Sequence, residues 1–160
     1  LLDGGATVPF VARYRKEVLA EDEALIRLDL AEMLREEGLP AVFARHQRHA
    51  EATRRAVRGW GLEVLCRNPA EYSGSLTAVM MPAGHDADAF RREVLDRFDM
   101  SLGTGLGKLA GRVFRIGHLG HFNDLSLAGA LCGVEMGLQL AGVPIEPNGV
   151  AAALAYLRTT

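Results

Sequence analysis

The sequence predicts an α+β fold, a small and mainly antiparallel sheet covered by helices. Three observations carry that expectation. Two segments with helical apolar spacing precede two short β-like runs. A third β-like run, around residues 113–117, ends at a glycine. A long apolar helix then leads to a short final one. The order is helix, helix, strand, strand, helix, strand, helix, helix, which fits one layer of sheet and one of helices.

Residues 1–23 differ in character from the rest of the chain. Asp3-Gly4-Gly5 is a turn signal, and Pro9 can open a helix through Val11, Tyr14 and Val18. Arg13, Arg15 and Lys16 make it basic, and Glu21, Asp22 and Glu23 then mark a boundary. The expected division is a leader over 1–23 and a single domain over 24–160.

In that domain Leu25, Leu28, Ala31 and Leu34 recur at helical spacing, and Gly38 is the expected stop. Pro40 opens a second helix whose apolar stripe is Phe43, Ala50, Val57 and Trp60, with Gly61 as its stop. Residues 62–66 alternate as a strand, Asn68-Pro69 turns the chain, and residues 76–81 form a second strand ending at Pro82. Asp86 is the expected N-cap of a helix with Phe90, Val94 and Phe98 on one side. The glycine-punctuated run 101–107 reads as a flexible turn or surface loop. The third strand comes next, at 113–117. Asn123 or Asp124 starts the long helix to about residue 141, and residues 150–157 form the last one. Gly129, Gly133 and Gly137 recur every four residues, which permits close approach of a sheet or another helix.

Composition sets outer limits. With 49% hydrophobic and 24% charged residues the chain is an ordinary globular protein, and a net charge of −2 gives no overall attraction to nucleic acid. Cys66 and Cys132 have neither metal-ligand nor disulfide-framework spacing, so a reducing cytoplasm is the expected location. The most apolar stretch, residues 125–141, contains Glu135 and Gln139 and reads as a buried helix, not a membrane span. The opening Leu1 suggests a fragment or an incompletely delimited gene.

Arg115 is the candidate site residue. It shares a strand face with Val113, near the end of a short apolar strand. A rigid strand end can hold a guanidinium fork in the geometry that bidentate carboxylate recognition needs. Alternation alone leaves two possibilities, such an anchor or an arginine on the outer sheet face. The glycine run fails as a phosphate loop, because Lys108 is followed by Leu109 instead of Ser or Thr. Arg45, Arg48, Arg54, Arg55 and Arg58 read as a solvated helix face, with Glu51 and Arg55 paired at i, i+4. His46/His49 and His118/His121 have no ligand completing a metal shell and default to surface or packing roles. The only lysines are Lys16 and Lys108, and neither lies in a convincing cofactor cup.

Longer runs carry a resemblance. They are 36–48, 56–66, Arg97-Phe98-Asp99-Met100 through Gly107-Lys108, Phe114-Arg115-Ile116-Gly117-His118-Leu119-Gly120, 122–125 and Gly133-Val134-Glu135-Met136-Gly137-Leu138. Together they resemble the C-terminal small domain of class V pyridoxal-phosphate aminotransferases of the serine–glyoxylate and alanine–glyoxylate type, over about residues 28–160. The resemblance implies the small domain of a fold-type I enzyme that passes an amino group from serine or alanine to glyoxylate. It implies that Arg115, in the Arg-Ile-Gly motif, binds the substrate carboxylate. It implies pyridoxal phosphate in the parent enzyme, with the binding lysine, phosphate cup and ring-stacking residue on a large domain upstream. Expected partners are an amino acid, a 2-oxo acid, and the large domain or a homodimer partner. The chain by itself is expected to be inactive.

Residues 1–17, with Val8-Pro9-Phe10 and Ala12-Arg13-Tyr14-Arg15-Lys16-Glu17, resemble the N-terminal region of the bacterial transcription accessory (Tex-type) protein. This suggests an alternative, a non-catalytic hybrid or fragment module that binds protein or nucleic acid. The net charge and the absence of interleaved stacking aromatics argue against nucleic acid.

Overall fold

The computed structural model describes residues 35–160. The leader, Lys16, the boundary at 23 and the helix expected from Leu25 to Leu34 lie outside the described residues.

Local signals account for most of the elements. Helix α1 spans Leu39–Gly59, with Pro40 in its first turn, where the missing N–H costs nothing. Gly61 then turns the chain at φ 75°, a conformation that favours glycine. Strand β1 is only Glu63–Val64, and Asn68 caps a single 3-10 turn, Pro69–Glu71, by accepting from the Ala70 N–H. Strand β2 is Leu76–Met80. Helix α2, Ala87–Phe98, starts at Asp86, whose side chain accepts from the Ala89 N–H at 2.7 Å. Strands β3 (Gly103–Thr104) and β4 (Val113–Gly117) flank a 3-10 turn at Gly107–Leu109. Helix α3, Asp124–Leu140, is capped by the Asn123 side chain at the Ser126 N–H, and α4 is Gly149–Leu157.

The sheet has the order β1-β2-β4-β3, and every pairing is antiparallel. Register decides its two faces. Val79 lies opposite Phe114 and Thr77 opposite Ile116, and these four are buried beneath the helices. Ala78 opposite Arg115 and Leu76 opposite Gly117 share the other, more open face. The core joins that buried face to Ala56, Val57 and Trp60 of α1, Phe90 and Val94 of α2, and Leu127, Leu131, Val134 and Leu138 of α3. Phe90 meets Phe114 edge-on at 4.8 Å.

The small residues of α3 divide by position. A Cβ at Gly137 would collide with Val94 Cγ2, so α2 and α3 approach closely there, as the glycine row permits. At Gly133 the neighbour is the Met100 side chain, and at Gly129 there is open space. Glu135, on the same helix, reaches inward. It accepts from Trp60 Nε1 at 2.6 Å and from the Val150 N–H at 3.0 Å, tying α1, α3 and α4 together.

Four details differ from expectation. The glycine run is not merely a loop. Gly103–Thr104 pairs with β4, with Gly103 directly opposite Arg115. Strand β1 is shorter than the predicted 62–66. Phe43 is 62% exposed and Val42 faces inward, since a 3.6-residue period counted back from Ala50 falls between the two. Finally, the arginines of α1 are not a uniformly solvated face: Arg54 is buried, while Arg45 and Arg48 bind other parts of the fold.

Candidate functional site

Arg115 sits on β4, an interior strand of the sheet, between Ala78 on β2 and Gly103 on β3. Both lateral neighbours are small, so the guanidinium has room on the open face. The stem lies over Gly103: a Cβ there would be 3.0 Å from both Cβ and Nε of Arg115. Nε is buried and has no hydrogen-bond partner among the described residues. A buried donor without a partner is costly.

The chain leaving β4 is held by polar groups from far away in sequence. His118 is fully buried. Its backbone N–H donates to Ser75 O, its Nδ1 lies 3.1 Å from Gly74 O, and its Nε2 lies 3.1 Å from Thr77 Oγ1. A carbonyl can only accept, so Nδ1 carries the proton towards Gly74, leaving Nε2 to accept from the Thr77 hydroxyl. Two residues on, the Gly120 N–H donates to His46 Nε2 at 3.0 Å, while His46 Nδ1 donates to Val42 O at 2.7 Å. Arg45 Nη1 donates to Gly120 O and Phe122 O, and its other nitrogens grip Glu37.

Asp124, the first residue of α3, receives a two-point contact from Arg48 and a bond from His49 Nε2 at 2.9 Å. Hydrogen bonding from Arg48 holds the Asp124 carboxyl below the usual carboxylate range. His49 is fully buried, and burial pushes its imidazole below the ordinary histidine value despite the aspartate. Arg48 also donates to Leu157 O, which joins the C-terminal helix to the same bracket. Of the two histidine pairs, His46, His49 and His118 are therefore packing residues, and His121 is exposed.

Behind the sheet, Asp88 of α2 fixes β3. Its Oδ1 accepts from Thr104 Oγ1 and Arg91 Nη1, both at 2.9 Å, and its Oδ2 accepts from the Gly111 N–H. The Thr104 and Arg91 bonds hold its carboxyl below the usual range. Arg91 Nε reaches Leu102 O at 2.7 Å.

Lys108 is exposed on the 3-10 turn and is no part of this arrangement. Two surface clefts, one around His85 and Glu93 and one around Arg58, Cys66 and Tyr72, include neither Arg115 nor Lys108. The described residues contain no group of three or more metal-ligating side chains and no helix long and apolar enough to cross a membrane. The two cysteines are free thiols, one half-buried and one exposed.

This architecture is the C-terminal domain fold of pyridoxal-phosphate aminotransferases. Pyridoxamine–pyruvate aminotransferase from Mesorhizobium loti superposes with a TM-score of 0.75 at 31% identity, over 86% of this chain and 34% of that one. No family profile matches the sequence. Curated relatives do: the chain is 48% identical over 124 residues to serine–glyoxylate aminotransferase from Methylorubrum extorquens, covering 77% of this chain and 31% of the relative. The Arabidopsis thaliana serine–glyoxylate aminotransferase is 47% identical over 128 residues, covering 79% of this chain and 32% of the relative. The chain is thus homologous to about a third of these aminotransferases.

The described residues do not fit pyridoxal phosphate. Their one lysine is on an exposed turn, and Arg115 is flanked along the sheet by Ala78 and Gly103, which offer a phosphate and a ring no donor or stacking partner. What the arrangement can do is bind a carboxylate through a positioned guanidinium.

Proposed function

We propose that this chain supplies the substrate-carboxylate anchor of an aminotransferase that passes an amino group from serine or alanine to glyoxylate. Arg115 is the anchor. The single observation that carries this reading is the Arg115 guanidinium itself, held on an interior strand with a buried, unpartnered Nε. Homology to serine–glyoxylate aminotransferases supports the choice of substrates.

On this reading residues 24–160 form the small domain and residues 1–23 a leader of separate, Tex-like origin. Pyridoxal phosphate and its lysine belong to a large domain, which the 160 residues need for turnover. The amino and 2-oxo acids meet Arg115 through their shared carboxylate, whose two oxygens match two guanidinium donors. The anchor thereby orients either substrate in the same way, as an alternating amino-transfer cycle requires.

The test is Arg115→Ala in the aminotransferase that carries this chain joined to its lysine-bearing domain. Loss of a charged hydrogen-bond pair of about 2 kcal/mol raises KM for serine roughly thirtyfold. An unchanged KM overturns the assignment.

A further inference from the structure

We infer that Gly103 is a positioning residue for Arg115: its missing side chain is the shelf on which the guanidinium stem lies. The inference deepens the anchor assignment of Arg115 and rests on it.

Four observations converge. Gly103 is the direct cross-strand partner of Arg115 in the β3–β4 pair. The nearest atoms that a Cβ at 103 would meet all belong to Arg115, at 3.0 Å from Cβ, 3.0 Å from Nε and 3.5 Å from its carbonyl oxygen. Carbon atoms in good contact stand about 3.5–4.0 Å apart, so one of the two residues must give way. Gly103 is not among the residues with positive φ, so its glycine is not needed for a turn. Space for the arginine is what remains to explain it.

The shelf itself cannot easily retreat. Leu102 O accepts from Arg91 Nε, Thr104 Oγ1 donates to Asp88, and the Gly105 N–H donates to Val113 O at 2.9 Å. Residues on both sides of Gly103 are thus fixed to α2 or to β4. Beyond Cβ the Arg115 side chain is the movable party, while its Cβ, equally close at 3.0 Å, yields only with β4 and by a few tenths of an ångström. A methyl group at 103 swings the fork away from the position in which Nε is buried, and the anchor loses its aim while the sheet remains.

The experiment is solution NMR on the full 160-residue chain labelled with nitrogen-15, following arginine Nε–H signals during titration with glyoxylate. The Arg115 signal is identified by its loss in Arg115→Lys. In the unmodified chain it should show a rigid heteronuclear NOE and a saturable shift with glyoxylate. Gly103→Ala should keep the backbone spectrum outside the β3–β4 pair, lose the rigid NOE, and raise the half-saturating glyoxylate concentration at least tenfold. Adding Gly103→Ala to Arg115→Ala should change nothing further.

The outcomes separate the two ideas. A glyoxylate response that is absent, or that survives Arg115→Ala, overturns the anchor itself. A response that needs Arg115 and is unaltered by Gly103→Ala overturns the shelf. Should Gly103→Ala fail to fold, the NOE of the unmodified chain decides: a mobile Arg115 Nε overturns the shelf, and a rigid one upholds it.

Discussion

The Gly120 N–H donates to Nε2 of His46 across 74 residues of chain, and one imidazole thereby links the middle of α1 to the loop leaving β4. His46 is 7% exposed, so this bond is made away from bulk water.

Replacing His46 by Ala leaves the Gly120 N–H without that acceptor. A buried donor left unsatisfied costs roughly 1–3 kcal/mol, and the cavity adds to it. The urea midpoint should fall accordingly, and amide exchange should quicken at Gly120 ahead of the core strands. Equal protection in both proteins would show that Arg45 alone holds the loop.

Two glycines on α3 should respond with opposite signs. Gly129 has open space where a Cβ would go, so Gly129→Ala should stabilise by about 0.5–1 kcal/mol through helix propensity. Gly137→Ala drives a methyl into Val94 and should destabilise by roughly 1–3 kcal/mol. Thermal unfolding of the pair measures both; a stabilising Gly137→Ala would mean that the α2–α3 spacing is looser than the Val94 contact implies, and a destabilising Gly129→Ala that its surroundings are not open.

Gly149→Ala should be among the most damaging single methyl additions. A Cβ there would overlap Trp60 Nε1, the atom that donates to Glu135. Overpacking of about 1–3 kcal/mol is then joined by loss of the Trp60–Glu135 bond. Tryptophan fluorescence reports the displacement directly, because Trp60 is the only tryptophan.

Stability should fall in two stages as the pH is lowered. His49 has a folded-state value below 6.5, so below about pH 6.5 the unfolded chain binds a proton that the folded one resists. That loss sets in as the pH drops through the ordinary histidine range. Asp88 and Asp124 are both depressed below 3.8, so their contribution is present above the carboxylate range and disappears as the pH falls through and below it. Urea midpoints from about pH 7.5 to about pH 3 should show both steps. His49→Gln, which can still donate to Asp124, should remove the first and leave the second.

Much of the fold was legible because its signals are local. Asp86 and Asn123 cap their own helices within three residues, Pro40 and Gly61 bracket α1, and alternation marks β2 and β4. Arg115 stood out for the same reason, as a charge set in a short apolar strand. Conversely, Arg45 and Arg48 looked solvated because their acceptors, Gly120, Phe122, Asp124 and Leu157, lie more than 70 positions away. No helix-wheel pattern could distinguish them from Arg55, which pairs with Glu51 four residues off. The cost of burying a histidine or arginine is met only by partners that the fold brings together, so pattern assigns such residues to the surface.

The sequence by itself determined the four helices among the described residues, two of the strands, most of the core positions on them and the residue to suspect. Only the tertiary structure decided that Gly103 pairs with Arg115 and that Asp88 and Arg91 hold the strand beneath it. It also decided that His46, His49 and His118 are structural. Propensity and capping act over a few residues, whereas register and hydrogen-bond satisfaction are settled when distant segments meet.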